Sequence, residues 1–295
     1  MRFDVVGVGI AGLDLIGVAA AEPQLGAKQP LAGWLEQGGG PVATALAAIA
    51  RLGGRAALVT AVGDDADGAR IIAGLRDAGV DVSAVQVRPG ASHVAFVLAE
   101  PGRDRRTVWW HNDPAVLAGL ALDRAAIASA RALLIDTHMP EAASVAARWM
   151  REAGGLVMID AERVRPSTLE LLPLCDLLVV SERFGREATG LDDPREAAQA
   201  LHSRYGRLAL VTCGAAGSWC AHAGELFHTP AFAVEPVDTT GAGDVFHGAM
   251  LYALLRGDDV RAAVRFASAA AAISCTGLGG RGKLPAVEEV AALMR

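Results

Sequence analysis

"RALLIDTHMPEAASVAARWMREAGGLVMID", Arg131–Asp160, holds two short apolar runs around an alanine-rich stretch. "RALLID" and "GLVMID" are apolar and rich in branched residues, as strands buried on both faces are. The stretch between them has the length and composition of a helix. Strand, helix, strand in this order makes the two strands parallel neighbours. The same pattern extends outward in both directions. "FDVVGVG", "AALVTAVG", "DLLVVS" and "RLALVTCG" are further buried strands. "PVATALAAIARLGG" is a helix: Pro41 sits in its first turn, Val42, Ala45, Leu46 and Ile49 share a face, and Gly53 stops it. "DADGARIIAGLRDAGV" is another, and the C-terminal third is helical over 244–256 and 259–276. Such alternation predicts an α/β fold with a sheet covered on both faces and a site beyond the carboxyl ends of its strands.

Two regions break the alternation. Residues 13–37 contain no helix, and 93–111 reads as a hairpin, with Val94, Phe96 and Leu98 alternating and "EPGRD" as the turn. Both are expected to be strands of a small β lid inserted into the main unit. The lid's apolar face needs a partner, either the substrate or a second subunit. No repeat or linker divides the chain, so residues 1–295 are expected to form one unit.

Composition narrows the function. The chain has 295 residues and a net charge of −6, without a basic block, so nucleic acid is not an expected partner. Cys175, Cys213, Cys220 and Cys275 make neither a C-x-x-C pair nor a zinc spacing, which suits a reducing, cytoplasmic setting. The apolar N-terminus is interrupted by Asp4 and Asp14, unlike a signal peptide, and no run is long enough to span a membrane.

The chemistry concentrates in "VDTTGAGDVFHGAM", Val237–Met250. A strand is expected to end near Val237 and a helix to begin near Asp244. Gly241-Ala242-Gly243 then lies at a helix N-terminus, where outward N–H groups and the dipole bind anions. Beside a bound phosphate, Asp244 makes chemical sense as a base for an attacking hydroxyl. The competing reading is an N-cap aspartate after a glycine turn.

This stretch resembles the C-terminal signature of the PfkB/ribokinase family of carbohydrate kinases. "GGGPVATALAAIARLGG" followed by "VGDDADG" resembles its N-terminal signature, and "VTCGAAGSWC" its nucleotide-side strand and loop. The resemblance spans the chain. It is strongest toward sulfofructose kinases and fructokinase-like members. It implies a ribokinase-like three-layer sandwich with a central, mostly parallel sheet and a β-sheet lid. It also implies ATP and Mg2+ as cofactors, a sugar substrate, and a homodimer formed through the lid. Residue by residue, it implies that Asp244 is the catalytic base and that Gly241, Ala242 and Gly243 form the anion hole. Asp14, Gly39 and Gly40 match sugar contacts. Thr212, Gly214, Gly217 and Ser268 match the nucleotide side. Asp238 and the carbonyl of Thr240 match a monovalent-cation site, with K+ as the ion; Asp238 equally suits a turn-capping Asx residue.

Some positions depart from the family pattern. Thr44 stands where an asparagine is usual. The N-x-x-E motif tied to magnesium falls at Ser181–Phe184, "SERF", with Glu182 and Glu187 nearby. A sulfonate would need a cation: Lys28 in the lid is one candidate, while His138 and Trp110 stand where more polar contacts are expected. His138 could meet a sugar hydroxyl or be a solvated loop histidine. The Trp109-Trp110 pair is lid core or a sugar wall, and His247 is read as a helix-packing residue. Two further readings remain: a sugar sensor without turnover, and an NAD-dependent oxidoreductase based on "GVGIAG", Gly7–Gly12, with Glu36 downstream. Against the latter, Pro23, Gly26 and Pro30 interrupt the helix it needs. "GGRGKL" lacks the spacing of a Walker loop.

Overall fold

A computed structural model describes residues 3–24, 26–100 and 105–295. The strands in chain order are β1 (Val5–Val8), β2 (Gly12–Ala19), β3 (Leu31–Gly39), β4 (Ala56–Gly63), β5 (Val85–Arg88), β6 (Val94–Glu100) and β7 (Arg105–His111). They continue as β8 (Ala132–Ile135), β9 (Leu156–Ala161), β10 (Leu177–Ser181), β11 (Leu208–Thr212), β12 (Ser218–His222) and β13 (Glu225–Thr229). Nine form one sheet in the order β13-β12-β11-β10-β9-β8-β1-β4-β5. From β5 to β11 every pairing is parallel, and β12 and β13 add an antiparallel edge.

Side chains alternate across this sheet, as the pleat requires. Val5, Leu58, Leu134, Met158, Val179 and Leu210 face one core with the helices Pro41–Arg51, Ala242–Arg256 and Val260–Ser274. Their neighbours Val6, Leu133, Val157, Leu178 and Val211 face a second core with Pro140–Glu152 and Pro194–Tyr205. The apolar runs are therefore unbroken because both faces are buried. This is a three-layer arrangement of helices, sheet and helices, with a smaller, separate sheet.

That smaller sheet has the order β3-β2-β6-β7 and draws on residues 12–39 and 94–111. The "EPGRD" turn falls on 101–104, outside the described residues, apart from Glu100. One face of the lid carries Ile16, Val97 and Ala99, packed with Leu278 of the C-terminal loop. The opposite face shows Leu31, Trp34, Phe96 and Trp109; the Phe96 ring lies 6.3 Å from Trp34 and 5.8 Å from Trp109.

The structure corrects the expected strand near Val237. The last strand ends at Thr229, and 230–240 runs without regular structure, tethered where Val237 and Asp238 donate their N–H groups to Cys275 O. The helix that follows begins at Ala242. Among the described residues, no helix is long and apolar enough to cross a membrane.

Candidate active site

Four parallel strands end in polar side chains at their carboxyl ends: Asp136 after β8, Asp160 on β9, Ser181 on β10 and Thr212 on β11. The lid lies over this edge, and an open cleft of ≈ 1420 Å³ separates the two. Its wall includes Trp110 and Val108 from β7, Thr137 and His138 after β8, and Glu162–Arg165 after β9.

The helix Ala242–Arg256 aims its first turn at this edge. Gly241 is its N-cap, with φ 75°, and a Cβ there would lie 2.5 Å from Gly280 Cα. Only glycine meets both demands. A Cβ at Gly243 would meet nothing within 4 Å, so this residue borders open space. Asp244 is half-buried in the first turn. It is not the N-cap, so the capped-helix reading fails: the cap position belongs to Gly241, and helical geometry starts two residues before Asp244.

Asp14, on β2, faces the same point from the lid. Gly39 leaves it room, since a Cβ there would sit 2.1 Å from the Asp14 carboxylate. Gly40, with φ 93°, packs against Ile10 O and leads into the helix Pro41–Arg51, whose first turn buries Thr44. Burial pushes Asp14 up to about 6; Arg281 opposes the shift and Asp238 adds to it.

Arg281 is the residue the sequence reading missed. Its guanidinium donates to Thr44 Oγ1 at 3.2 Å and to Gly39 O at 2.9 Å, and its charge acts on both Asp14 and Asp244. Burial lowers its pKa to about 10, with the two carboxylates opposing. The one available signal was a lone cation within "GLGGRG". Asp136 was missed as well. It is buried and accepts from the N–H of Ile10 at 2.7 Å and of His138 at 2.9 Å. The His138 ring is 3.4 Å from the same carboxylate. Burial disfavours charged His138, but Asp136 outweighs it and the pKa is raised. Nearby His93, its ring tilted against Trp110 with centroids 5.8 Å apart, is pushed down to about 4 by burial and by His138.

Other expected residues fall as follows. Asp238 is buried and accepts from Thr240 N–H, Thr240 Oγ1–H and Gly279 N–H at 2.8–2.9 Å, an Asx turn that engages both carboxylate oxygens. Ser181 caps the helix Glu182–Thr189 by accepting from Phe184 N–H. Phe184 itself is fully buried, so the usual acidic position of N-x-x-E is part of the core here. Glu187 is held by Arg183 at 2.9 Å and by Val164 N–H at 3.0 Å. Thr212 donates to Val180 O; Gly214 and Gly217, at φ 54° and 89°, shape the loop beyond it. Ser268 is buried on the helix Val260–Ser274. Lys28 is exposed on the loop between β2 and β3, where Glu22 and Pro23 form the cleft wall. Trp110 faces the cleft while Trp109 faces away, so the pair is divided. The Gly7–Gly12 stretch passes from β1 directly into β2, with no helix to receive a dinucleotide phosphate.

Residues 3–287 match the family model described as pfkB family carbohydrate kinase. The chain belongs to the pfkB family of carbohydrate kinases. It is a phosphotransferase with an alcohol acceptor, and kinases of this type use ATP. It is 32% identical to fructokinase-1 of Zea mays, with 94% of this chain and 92% of that protein aligned. It is 29% identical to the ribokinase of Bacillus subtilis over 97% of this chain and 98% of that one. Among solved structures, a candidate ribokinase from Agrobacterium tumefaciens superposes with a TM-score of 0.95 at 34% identity, covering 100% and 98% of the two chains. An Arabidopsis thaliana ribokinase complexed with ribose and ATP gives 0.87 at 25% identity, covering 100% and 99%.

Proposed function

We propose that this pfkB kinase transfers the γ-phosphate of ATP to a primary hydroxyl of a small ketohexose-type sugar or sugar derivative, with sulfofructose among the candidates. The observation that carries the reading is the convergence of Asp244, the Gly241–Gly243 turn, Asp14 and Arg281 on one point beneath the lid. Asp14 accepts hydrogen bonds from the sugar's hydroxyls and sets its register. Asp244 takes the proton of the attacking hydroxyl. The first-turn N–H groups hold the transferring phosphoryl group, which Gly243 can approach closely because it has no side chain.

ATP fits the edge that carries Thr212, Gly214 and Gly217, with its phosphates reaching the Gly241–Gly243 turn. Magnesium would neutralise charge on the phosphates, bound chiefly through phosphate oxygens and water. Arg281 holds Thr44 and the Gly39 carbonyl together, so the position that departs from asparagine keeps a fixed donor beside the sugar. Trp110 walls the sugar, and His138, whose pKa Asp136 raises, offers a ring N–H to its far end. The apolar outer lid face is proposed to pair with a second copy. The fold and charge suit a cytoplasmic enzyme.

The test is ADP release in a coupled assay over fructose, ribose, nucleosides and sulfofructose. Turnover with a sugar is expected, and Asp244→Asn should lower kcat roughly 10²–10⁴-fold while ATP still binds. Near-normal turnover in that variant overturns the assignment. The buried Phe184 favours one second reading, a sugar sensor. Sugar binding without ADP release from the wild-type chain would establish that instead.

A further inference from the structure

His247 lies one turn into the helix Ala242–Arg256 and is buried. Its Nδ1 is 2.6 Å from Gly243 O, and its Nε2 is 2.9 Å from Val179 O on β10. A carbonyl oxygen only accepts. A neutral imidazole carries one N–H, so either tautomer would set a ring lone pair against a carbonyl lone pair. The imidazolium, with two N–H groups, satisfies both contacts. A buried cation needs a counter-charge. Asp160 supplies it, with Oδ2 3.5 Å from His247 Nδ1. Asp160 stands opposite Val179 in the sheet register, so the two partners of the ring sit side by side. Burial raises the Asp160 carboxyl, His247 opposes that rise, and Asp136 and Glu162 add to it while His138 opposes.

We infer that His247 is held as an imidazolium against Asp160 and acts as a positioning residue for the phosphate-binding turn. Two effects follow. Bonding to Val179 O fixes the first turn of the helix to β10, hence to the strand ends that carry the site. Bonding to Gly243 O polarises a peptide whose N–H belongs to Asp244, and hydrogen bonds in such a chain strengthen one another. The turn therefore meets developing phosphoryl charge with a stiffer frame and a stronger donor. The role at the turn rests on the kinase reading above; the protonation state does not.

The experiment uses the full chain labelled with 15N at histidine. At pH 7.5, one histidine is expected to show both ring nitrogens protonated, and that signal should vanish in His247→Gln. A neutral tautomer for His247 overturns the proposal, and this readout needs no turnover and no variant beyond the assignment. In kinetics, His247→Gln removes the charge and keeps a donor. Its kcat should fall roughly 10–10²-fold, somewhat less than the loss of a direct oxyanion-hole donor, with sugar KM within about threefold. Wild-type kcat in that variant overturns the positioning role. Should His247→Gln fail to fold, Asp160→Asn takes its place, and retention of both ring protons there counts against the pairing. A wild-type chain that turns over no sugar, yet shows the doubly protonated ring, defeats the kinase reading and leaves the pair intact.

Discussion

At the residue scale, the site is governed by how one cation is shared. Arg281 acts through its charge on Asp14 on the sugar side and on Asp244 on the phosphoryl side, and its guanidinium donates hydrogen bonds to Thr44 and Gly39. Its charge favours the ionised form of both carboxylates. Burial nonetheless brings Asp14 to about 6. Above that pH it is a charged acceptor; below it, a neutral acid that accepts hydrogen bonds from hydroxyls poorly. The value of kcat/KM for the sugar should therefore fall as pH drops through about 6, because kcat/KM reports ionisations of the free enzyme. Asp14→Asn should be weak at every pH and lose that inflection. An unchanged inflection in the variant would assign it to another group.

At the element scale, the helices Pro41–Arg51 and Ala242–Arg256 carry Thr44 and Asp244 in their first turns, so their spacing sets the site. Gly248 is where they meet: a Cβ there would lie 2.3 Å from Ala45 O, a backbone atom that cannot turn aside. Gly248→Ala should force the helices apart and cost about 1–3 kcal/mol, the range for overpacking a filled core. Urea denaturation would read the cost, and kcat should fall with it. A variant as stable as wild type would show that the pair has slack. "PVATALAAIARLGG" was legible as this helix because proline and glycine mark its ends and its apolar face repeats at helical spacing. The segment before Asp244 was not: Val237-Asp238 looks like a strand end, yet its bonds go to Cys275 and Gly279, some forty residues away. Local pattern carries no information about such a partner.

At the scale of the whole molecule, the lid decides what reaches the site and what else the chain meets. Its outer face leaves Trp34 and Trp109 each more than half exposed, beside Phe96 and Leu31. We propose that this exposed apolar patch pairs with a second copy of the chain. Sedimentation of the wild-type chain is expected to show a dimer, and Trp34→Ser with Trp109→Ser a monomer. A wild-type monomer would leave this face to another partner.

By itself the sequence determined the α/β architecture, the place of the lid strands and the turn holding Asp244, because buried strands, capped helices and glycine turns are written in neighbouring residues. Tertiary structure decided the rest. It brought Arg281 against residues 39, 44, 14 and 244, placed Asp136 behind His138, turned Trp110 inward and Trp109 outward, and set His247 between Gly243, Val179 and Asp160. Each of these depends on charges or carbonyls far apart along the chain. Burial alone makes such meetings consequential: in water Arg281 and His247 would be ordinary side chains, and in the core each must be matched.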